Sequence, residues 1–312
     1  MKFINVESEL PVRLDRYLKK IYPNLSQGVI EKALRLKQIK VNQQKALANL
    51  RVKNSDQISI DQFFVASDKS AETIDKEEKF YSINVIKLAT KLLNELLLYE
   101  DDNILAINKP NNLSSQGGSK IKLSINDALN YLNTKGHDLR LVHRLDKETS
   151  GCFILAKNYA ASVKLGAAFK DKIISKTYHA ITLGAPKKSQ GQISNLIAKA
   201  RGGVFESVVE DKIEGKLAIT DYKLLKKYDD LAYLEFKPLT GRMHQLRFHA
   251  KTLGIPILGD RKYGNQNSVH NAAAMSDSML LHAQQILIPK EIFSREIIIE
   301  AKLPKYFKKF MQ

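Results

Sequence analysis

The amino-acid sequence predicts an α+β fold in two parts, a small N-terminal α/β unit and a larger unit built on a mixed, largely antiparallel sheet. Three observations support this prediction. The chain has 312 residues, enough for two domains with at least one large core. Strand-like runs outnumber the helices that could connect parallel strands, and a polar stretch divides the two parts. We therefore place the domain limits at 10–65, with a connecting segment over 66–95 and a second unit over 96–312.

The first unit begins with two predicted helices. Apolar residues recur at helical spacing between 13 and 22, and Pro23 ends that helix. A second helix is predicted over 27–36, with Ser26 as its N-cap. The inward residues of this second helix should be Val29, Ile30, Ala33 and Leu34. Around 39–41 and 58–60, isoleucine and valine alternate with polar residues, which predicts short strands.

The surface of this first unit should be strongly basic. Its predicted exposed cations are Arg16, Lys19, Lys20, Lys32, Arg35, Lys37 and Lys40. The whole chain has a formal net charge of +17 and a pI of about 9.6. Such an excess favours a polyanionic partner, either nucleic acid or an acidic membrane surface. The alternative is a lysine-rich surface that only faces solvent.

The second unit opens with a predicted hairpin. Residues 97–99 and 104–107 are apolar runs on either side of an acidic turn. The preceding stretch, 83–93, is apolar at intervals that suit either a short helix or an extended connector. Further strands are predicted at 152–156, 177–183, 220–225 and 232–236. Further helices are predicted at 125–132, 159–169 and 244–253, the last ended by Gly254 and Pro256.

Several classes of protein are disfavoured. Cys152 is the single cysteine, so we expect no intramolecular disulfide, no thiolate metal cluster and a structural role for that thiol. The N-terminus lacks the apolar core of a signal peptide, and no apolar run approaches membrane-spanning length. We therefore expect a soluble, cytoplasmic protein that neither enters nor binds a membrane.

The segment 143–151, with the sequence HRLDKETSG, is the strongest indication of chemistry. Asp146 follows Arg144 on a predicted loop, and an apolar strand comes directly after it. An adjacent cation favours the ionised carboxylate, which can act as a nucleophile or a base. Taken alone, Arg144 and Asp146 could be no more than a surface ion pair. The full segment, however, resembles the signature around the catalytic aspartate of the RluA-type pseudouridine synthases.

This resemblance implies the pseudouridine synthase fold and a set of site residues. Asp146 corresponds to the catalytic aspartate, and Arg144 to the arginine that fills the space of a flipped uridine. Tyr178, within 175–180, corresponds to the active-site tyrosine. Within 239–249, Arg247 corresponds to the arginine that pairs with the aspartate, although Met243 replaces a commoner threonine. We also expect His143, Arg242 and His244 to bind the substrate RNA, with a hydrogen-bonded structural role as the alternative for His244.

Other segments extend the resemblance. The blocks 254–264 and 281–283 match the family and should form the scaffold of the pocket. Lys109, Pro110 and the block 117–119 have the spacing of the branch that modifies 23S ribosomal RNA. The first unit resembles an S4 domain, an RNA-binding module, although Lys37 and Ser55 occupy two of its usual glycine positions. Its predicted RNA-binding residues are Arg16, Lys20, Lys32, Arg35, Lys37 and Lys40.

The resemblance thus implies an enzyme that isomerises uridines to pseudouridine in RNA, with 23S ribosomal RNA or a large-subunit precursor as the expected partner. This reaction needs no cofactor, and we expect a monomer without an obligate protein partner. Two alternatives remain open. A non-enzymatic ribosome assembly factor would use the same basic surface. A glycosidase would need a second carboxylic acid, for which Glu148 is the nearest candidate.

Overall fold

A computed structural model of the chain describes residues 1–8, 10–23, 25, 27–61, 81–118, 121–200, 207–264 and 276–311. The chain divides into two compact units, Met1–Phe80 and Tyr81–Gln312. Residues 66–80 of the predicted connecting segment, the N-cap Ser26 and Ser119 of the block 117–119 lie outside the described residues. Among the helices that the structure describes, none is long and apolar enough to cross a membrane.

The first unit consists of two helices and short antiparallel strands around one core. Its elements in chain order are β1 (Lys2–Asn5), β2 (Val12–Arg13), α1 (Leu14–Ile21), α2 (Gln27–Arg35), β3 (Ile39–Val41), β4 (Gln44–Lys45), β5 (Arg51–Val52) and β6 (Gln57–Ile60). One sheet has the order β1-β6-β3-β4, and β2 pairs with β5. Leu14, Leu18, Ile30, Ile39 and Ile58 are fully buried in the core between the helices and the sheet.

Both predicted helices and both predicted strands of the first unit are present. The prediction that Val29 points inward is wrong, since 41% of it is exposed. Ile30, Ala33 and Leu34 alone form the buried i, i+3, i+4 stripe of α2, and Val29 lies on its flank. Lys40 is half-buried in the interior strand β3, whereas the other predicted surface cations are exposed. Lys37 has a φ of 60°, the left-handed conformation that glycine adopts most readily.

The second unit is larger and contains the remaining elements. They are α3 (Ile83–Asn94), β7 (Leu97–Glu100), β8 (Ile104–Lys109), α4 (Ile125–Thr134), β9 (Arg140–Leu141), β10 (Ser150–Ala156), α5 (Tyr159–Lys170), β11 (Ser175–Leu183), β12 (Gln190–Lys199), β13 (Val208–Glu210), β14 (Lys216–Lys227), β15 (Leu231–Pro238), α6 (Gln245–Thr252), β16 (Leu281–Ile288), α7 (Lys290–Phe293), β17 (Ile297–Glu300) and α8 (Lys305–Lys308). The segment that suited either a helix or a connector is therefore helix α3.

One sheet runs through this unit in the order β13-β12-β14-β15-β11-β16-β10-β8-β7, with β9 and β17 attached to β10 and β16. Neighbouring strands are antiparallel except β10 and β16, which are parallel. Because side chains alternate along a strand, β8 and β10 bury opposite sets of residues against the two faces. One set packs with α3 and α4, and the other with α5. The predicted α+β class with a mixed, largely antiparallel sheet is confirmed.

Every strand predicted for the second unit is present, but β9, β12, β13, β16 and β17 were not predicted. β16 is central to the sheet, and its first three residues are the block 281–283 that we assigned to the scaffold. Cys152 is buried in β10, and burial raises the pKa of its thiol to about 12. An un-ionised thiol is a poor nucleophile, which agrees with a structural role.

The parallel contact between β10 and β16 depends on Gly151. This residue has a φ of 111° and pairs with Ala283 at the point where the segment 143–151 enters β10. A Cβ atom at Gly151 would overlap the backbone carbonyl of Ala283. The close approach of these two strands therefore requires glycine, both for its dihedral angles and for its lack of a side chain.

We predict that Gly151→Ala destabilises the second unit by about 2 kcal/mol or more, because it combines backbone strain with a steric overlap. Gly166→Ala is the matched control, since it lies in helix α5 with no atom within 4 Å of the added Cβ. That change should stabilise by about 0.5–1 kcal/mol through helix propensity. Urea unfolding of the three proteins measures both effects, and equal stability of the Gly151 variant and wild type would contradict the assignment.

Candidate active site

A cavity of about 510 Å³ lies in the second unit. Five segments line it: the loop 142–149 before β10, the second half of α5, the start of β11, the turn between β15 and α6 with the start of α6, and the first residue of β16. The predicted site residues His143, Arg144, Asp146, Tyr178, Arg242, His244 and Arg247 all line this cavity. The fold thus brings together residues from three separate parts of the sequence.

The loop that carries Asp146 is fixed on both sides of the carboxylate. Ser115 Oγ donates to the carbonyl of Leu145 at 2.9 Å and accepts from the amide of Leu145 at 3.2 Å. On the other side, Lys109 Nζ donates to the carbonyls of Lys147, Leu113 and Pro110 at 3.2, 2.8 and 3.1 Å. The sequence analysis did not identify Ser115, whose only signal was its place in a polar loop after Lys109.

Lys109 is fully buried, and burial lowers the pKa of its ammonium to about 7, while the charge of Asp146 opposes that change. Three carbonyl acceptors match the three protons of an ammonium group. The side chain therefore ties the loop after β8 to the loop that carries Asp146. We assign Lys109 to the support of the loop and not to contact with a substrate.

Arg247 is the largest fully buried side chain of the chain's described core, with 2% of its side chain exposed. Its Nε and Nη2 donate to both carboxylate oxygens of Asp260 at 2.7 and 2.6 Å. Its Nη1 lies 3.0 Å from Glu148 Oε2 and 4.0 Å from Asp146 Oδ2. The expected pairing of Arg247 with Asp146 is therefore the longest of three contacts. Asp260, which we expected to be scaffold, is the principal partner.

Tyr178 enters the cavity from β11. Its ring packs against two of the apolar clusters of the unit, and its neighbours across the strands are Phe236 and Ala283. Burial raises the pKa of its phenol well above the usual range, and the negative charge of Asp146 adds to this effect. Tyr178 is therefore a neutral phenol at physiological pH, available for stacking and hydrogen bonding.

His143 and Arg144 differ in their surroundings although they are neighbours. The ring of His143 stacks on Phe169 and lies against Phe153, each at 4.5 Å between centroids, and its Nε2 accepts from the amide of Ile154. Burial lowers the pKa of His143 to about 3, so the ring is neutral and supports the loop. Arg144 is exposed at the cavity and forms no ion pair with any residue that the structure describes.

Side-chain hydrogen bonds connect the turn before α6 to strand β14. Gln245 Nε2 donates to the Ile219 carbonyl and to Thr220 Oγ1, both at 2.9 Å, and its Oε1 accepts from Thr240 and from the Arg242 amide. His244 has a φ of 53° and its Nδ1 lies 2.9 Å from Tyr263 Oη. Burial lowers the pKa of His244, while Asp146 opposes the change. This geometry fits the structural alternative for His244, and the sequence analysis had not singled out Thr240 or Gln245.

The chemistry available in the cavity follows from these groups. It contains a partly exposed carboxylate, a buried guanidinium within 4.0 Å of it, a neutral phenol and an exposed guanidinium that pairs with no described residue. Among the residues that the structure describes, no group of three histidine, cysteine or acidic side chains could hold a metal ion. A carboxylate beside a shaped pocket suits attack on, or proton transfer with, one bound nucleotide.

Comparison with known proteins agrees with this chemistry. The sequence profile of the RNA pseudouridylate synthase family matches residues 103–252, which include the whole loop around Asp146 and Arg247. The protein from Rickettsia typhi named ribosomal large subunit pseudouridine synthase C is 53% identical over 97% of this chain and 98% of its own length. A protein of the same name from Buchnera aphidicola is 31% identical over 98% of this chain and 95% of its own.

Solved structures show the same similarity. Human RNA pseudouridylate synthase domain containing 4 superposes with a TM-score of 0.60 and 30% identity, covering 72% of this chain and 94% of that one. Human RNA pseudouridylate synthase domain containing 1 superposes with a TM-score of 0.56 and 28% identity, covering 66% of this chain and 82% of that one. The chain belongs to the RNA pseudouridylate synthase family. It is an enzyme that isomerises uridine in RNA to pseudouridine, as the sequence predicted.

Three buried histidines of this unit predict how its stability depends on pH. Burial lowers the pKa of His143 to about 3 and those of His249 and His282 to about 4, from about 6.5 in an unfolded chain. The folded state therefore binds fewer protons than the unfolded state below pH 6.5. The stability contributed by the neutral rings is complete above pH 6.5 and is lost as the pH falls towards 4.

Near pH 5, each such histidine should steepen the fall of the unfolding free energy by about 1.4 kcal/mol per pH unit. His249→Gln keeps a hydrogen bond to Thr220 and removes one titrating ring, so it should reduce the slope by about that amount. His137→Gln, at an exposed histidine, is the control and should leave the slope unchanged. Urea unfolding at several pH values between 5 and 7 measures the slopes, and equal slopes for the two variants would refute the prediction.

Proposed function

We propose that the chain forms pseudouridine in large-subunit ribosomal RNA, with Asp146 as the catalytic carboxylate. The observation that supports this role most is the place of Asp146 in the cavity. Its loop is held by Ser115 and Lys109, and its carboxylate is within 4.0 Å of a guanidinium that is itself fixed by Asp260. A reacting group held so firmly needs little reorganisation during the reaction.

The reaction breaks the bond between N1 of the uracil and C1′ of the ribose, turns the base and joins C5 to C1′. The proton of C5 is lost and N1 gains a proton, so no electrons are exchanged with a cofactor. Whether the carboxylate adds to the base or acts at the sugar, it must be ionised. The Arg247 cation lies 4.0 Å from Asp146 Oδ2, and Tyr178, which lines the same cavity, can stack on the uracil while it turns.

Arg144 can help to expose the target base. A uridine inside a stacked RNA must leave its neighbours before Asp146 can reach it, which costs a few kcal/mol. The planar guanidinium of Arg144, which has no partner in the part of the chain that the structure describes, can enter the vacated space and stack there. The cavity of about 510 Å³ lies within the range of about 300–1,000 Å³ typical of small-molecule sites, which suits one nucleotide.

Two further features support ribosomal RNA as the substrate. The relatives that align over nearly their whole length carry names that refer to the large ribosomal subunit. The first unit presents its cations on α1, α2 and the turn after α2, as expected for an S4-type RNA-binding module. Phosphate contacts of this kind hold a protein on its RNA without reading the sequence. We propose that the enzyme acts on ribosomal RNA in the cytoplasm, as a monomer.

The glycosidase alternative loses its second acid. Glu148 Oε2 lies 3.0 Å from Arg247 Nη1, so this carboxylate is engaged in an ion pair with the buried guanidinium. It also does not line the cavity that contains Asp146. A purely structural ribosome assembly factor is inconsistent with membership of an enzyme family, although the same basic surface serves both functions.

We predict that Asp146→Asn abolishes pseudouridine formation, because the amide keeps the shape but is neither charged nor nucleophilic. The measurement is tritium release from large-subunit ribosomal RNA labelled at C5 of uridine, together with the affinity for that RNA. Affinity should change little, since most of the binding comes from phosphate contacts. Asp171→Asn, at an exposed carboxylate after α5, is the matched control and should retain full activity. Activity of the Asp146 variant above a few per cent would exclude this role.

For the first unit, we predict that replacing Arg16, Lys20, Lys32 and Arg35 together by glutamine flattens the salt dependence of RNA binding. Each lost phosphate contact should reduce the slope of log affinity against log salt by about 0.7–0.9. The single-turnover rate at saturating RNA should change much less than the affinity. The control replaces four exposed lysines of the second unit, Lys187, Lys188, Lys290 and Lys302. If both quadruple variants kept the wild-type slope, the basic surface of the first unit would not bind RNA.

A further inference from the structure

Lys176 is a cation of the catalytic cavity that the reaction described above does not use. It lies on β11, two residues before Tyr178, and both residues line the cavity. A Cβ atom built on Gly241 would lie 3.9 Å from Lys176 Nζ, so the turn before α6 approaches the ammonium group closely. The group therefore sits between two walls of the cavity and not on the open surface.

Lys176 has no partner among the residues that the structure describes. It forms no hydrogen bond and no ion pair with any of them. The other buried cations of the site are fully engaged, since Lys109 donates to three carbonyls and Arg247 contacts three carboxylates. Burial lowers the pKa of Lys176, and no neighbouring carboxylate opposes the change. A partly buried cation without a counterion is unfavourable in the free protein, which points to a bound anion in the functional state.

The position of Lys176 indicates which part of the RNA it meets. Lys176 and Asp146 line the same cavity, and no ion pair joins them. The ammonium group can therefore meet a different part of the nucleotide from the one that the Asp146 carboxylate must reach, which is C1′ and C6. A flipped nucleotide presents its sugar and base to that carboxylate and carries a phosphate on each side of the sugar. Those phosphates are the anions of the substrate, whereas the uracil oxygens are neutral.

We propose that Lys176 binds a backbone phosphate next to the target uridine, a contact that rests on the proposed function of this cavity. The phosphate can act as the counterion of the Lys176 ammonium group only after the nucleotide has left the RNA stack and entered the cavity. Lys176 is then a substrate-binding residue that distinguishes the flipped nucleotide from a stacked one. Binding to unflipped RNA should depend on it little.

The first experiment measures phosphate interference. A transcript of large-subunit ribosomal RNA is treated with ethylnitrosourea, which converts single phosphates to neutral ethyl esters, and the molecules that bind are compared with those that do not. The proteins are wild type, Lys176→Met, Lys176→Gln as a second neutral variant, and Lys187→Met as a control at an exposed lysine. Wild type and the control should show interference at a phosphate beside a modified uridine, and both Lys176 variants should lose that signal alone.

The second experiment measures rate and stability with the same proteins. The loss of one charge-assisted contact should lower the single-turnover efficiency on the transcript by about ten- to a hundredfold, with the apparent dissociation constant of the productive complex rising. Lys176→Met should melt at or above the temperature of wild type, because it removes a cation without a partner. Lys187→Met should change neither quantity.

The outcomes separate this inference from the function on which it rests. An unchanged interference pattern in both Lys176 variants would overturn the phosphate contact, and so would a melting temperature lowered by several degrees, which would indicate a structural role. If wild type formed no pseudouridine in the transcript, the proposed substrate would be wrong. The comparison of melting temperatures would still test in that case whether Lys176 has a structural role, because it does not depend on the transcript.

Discussion

The buried guanidinium of Arg247 is the interaction on which the catalytic half of this protein depends. It joins α6, the turn after residue 258 and the loop before β10, because its three nitrogens contact Asp260, Glu148 and Asp146. Removing one partner from such a pair leaves an uncompensated buried charge and costs about 3–5 kcal/mol. The same group therefore joins three segments of the fold and places a positive charge 4.0 Å from the carboxylate of Asp146.

The cations around the cavity show three distinct environments. Lys109 is saturated by backbone carbonyls, Arg247 is saturated by carboxylates, and Lys176 and Arg144 have no partner among the described residues. Lys109 and Arg247 use their hydrogen-bond donors within the protein, so they cannot bind a substrate anion. The last two are available for the RNA. The cavity thus keeps two cations that can attract a polyanion, while Lys109 and Arg247 contact the loop that carries Asp146.

Local patterns predicted most of the elements, and the failures have physical causes. α1, α2, β7, β8 and β10 follow from apolar spacing and from turn residues, which act over a few positions. Val29 was misassigned because it borders the apolar stripe of α2, and only the packing partner decides which flank is covered. β12 was missed because it combines polar residues with a strand conformation that its pairing with β14 imposes.

The sequence by itself determined the class of enzyme and the chemical groups of the site, because HRLDKETSG and TGRMHQLRFH are continuous segments that carry Asp146 and Arg247. Only the tertiary structure decided which groups pair. Arg247 contacts Asp260 more closely than Asp146, Ser115 holds Leu145 across 30 residues, and Lys176 lies near the turn at Gly241 with no counterion among the described residues. Pairing of charges depends on distances through space, and those distances arise when separate strands of one sheet bring distant segments to the same cavity.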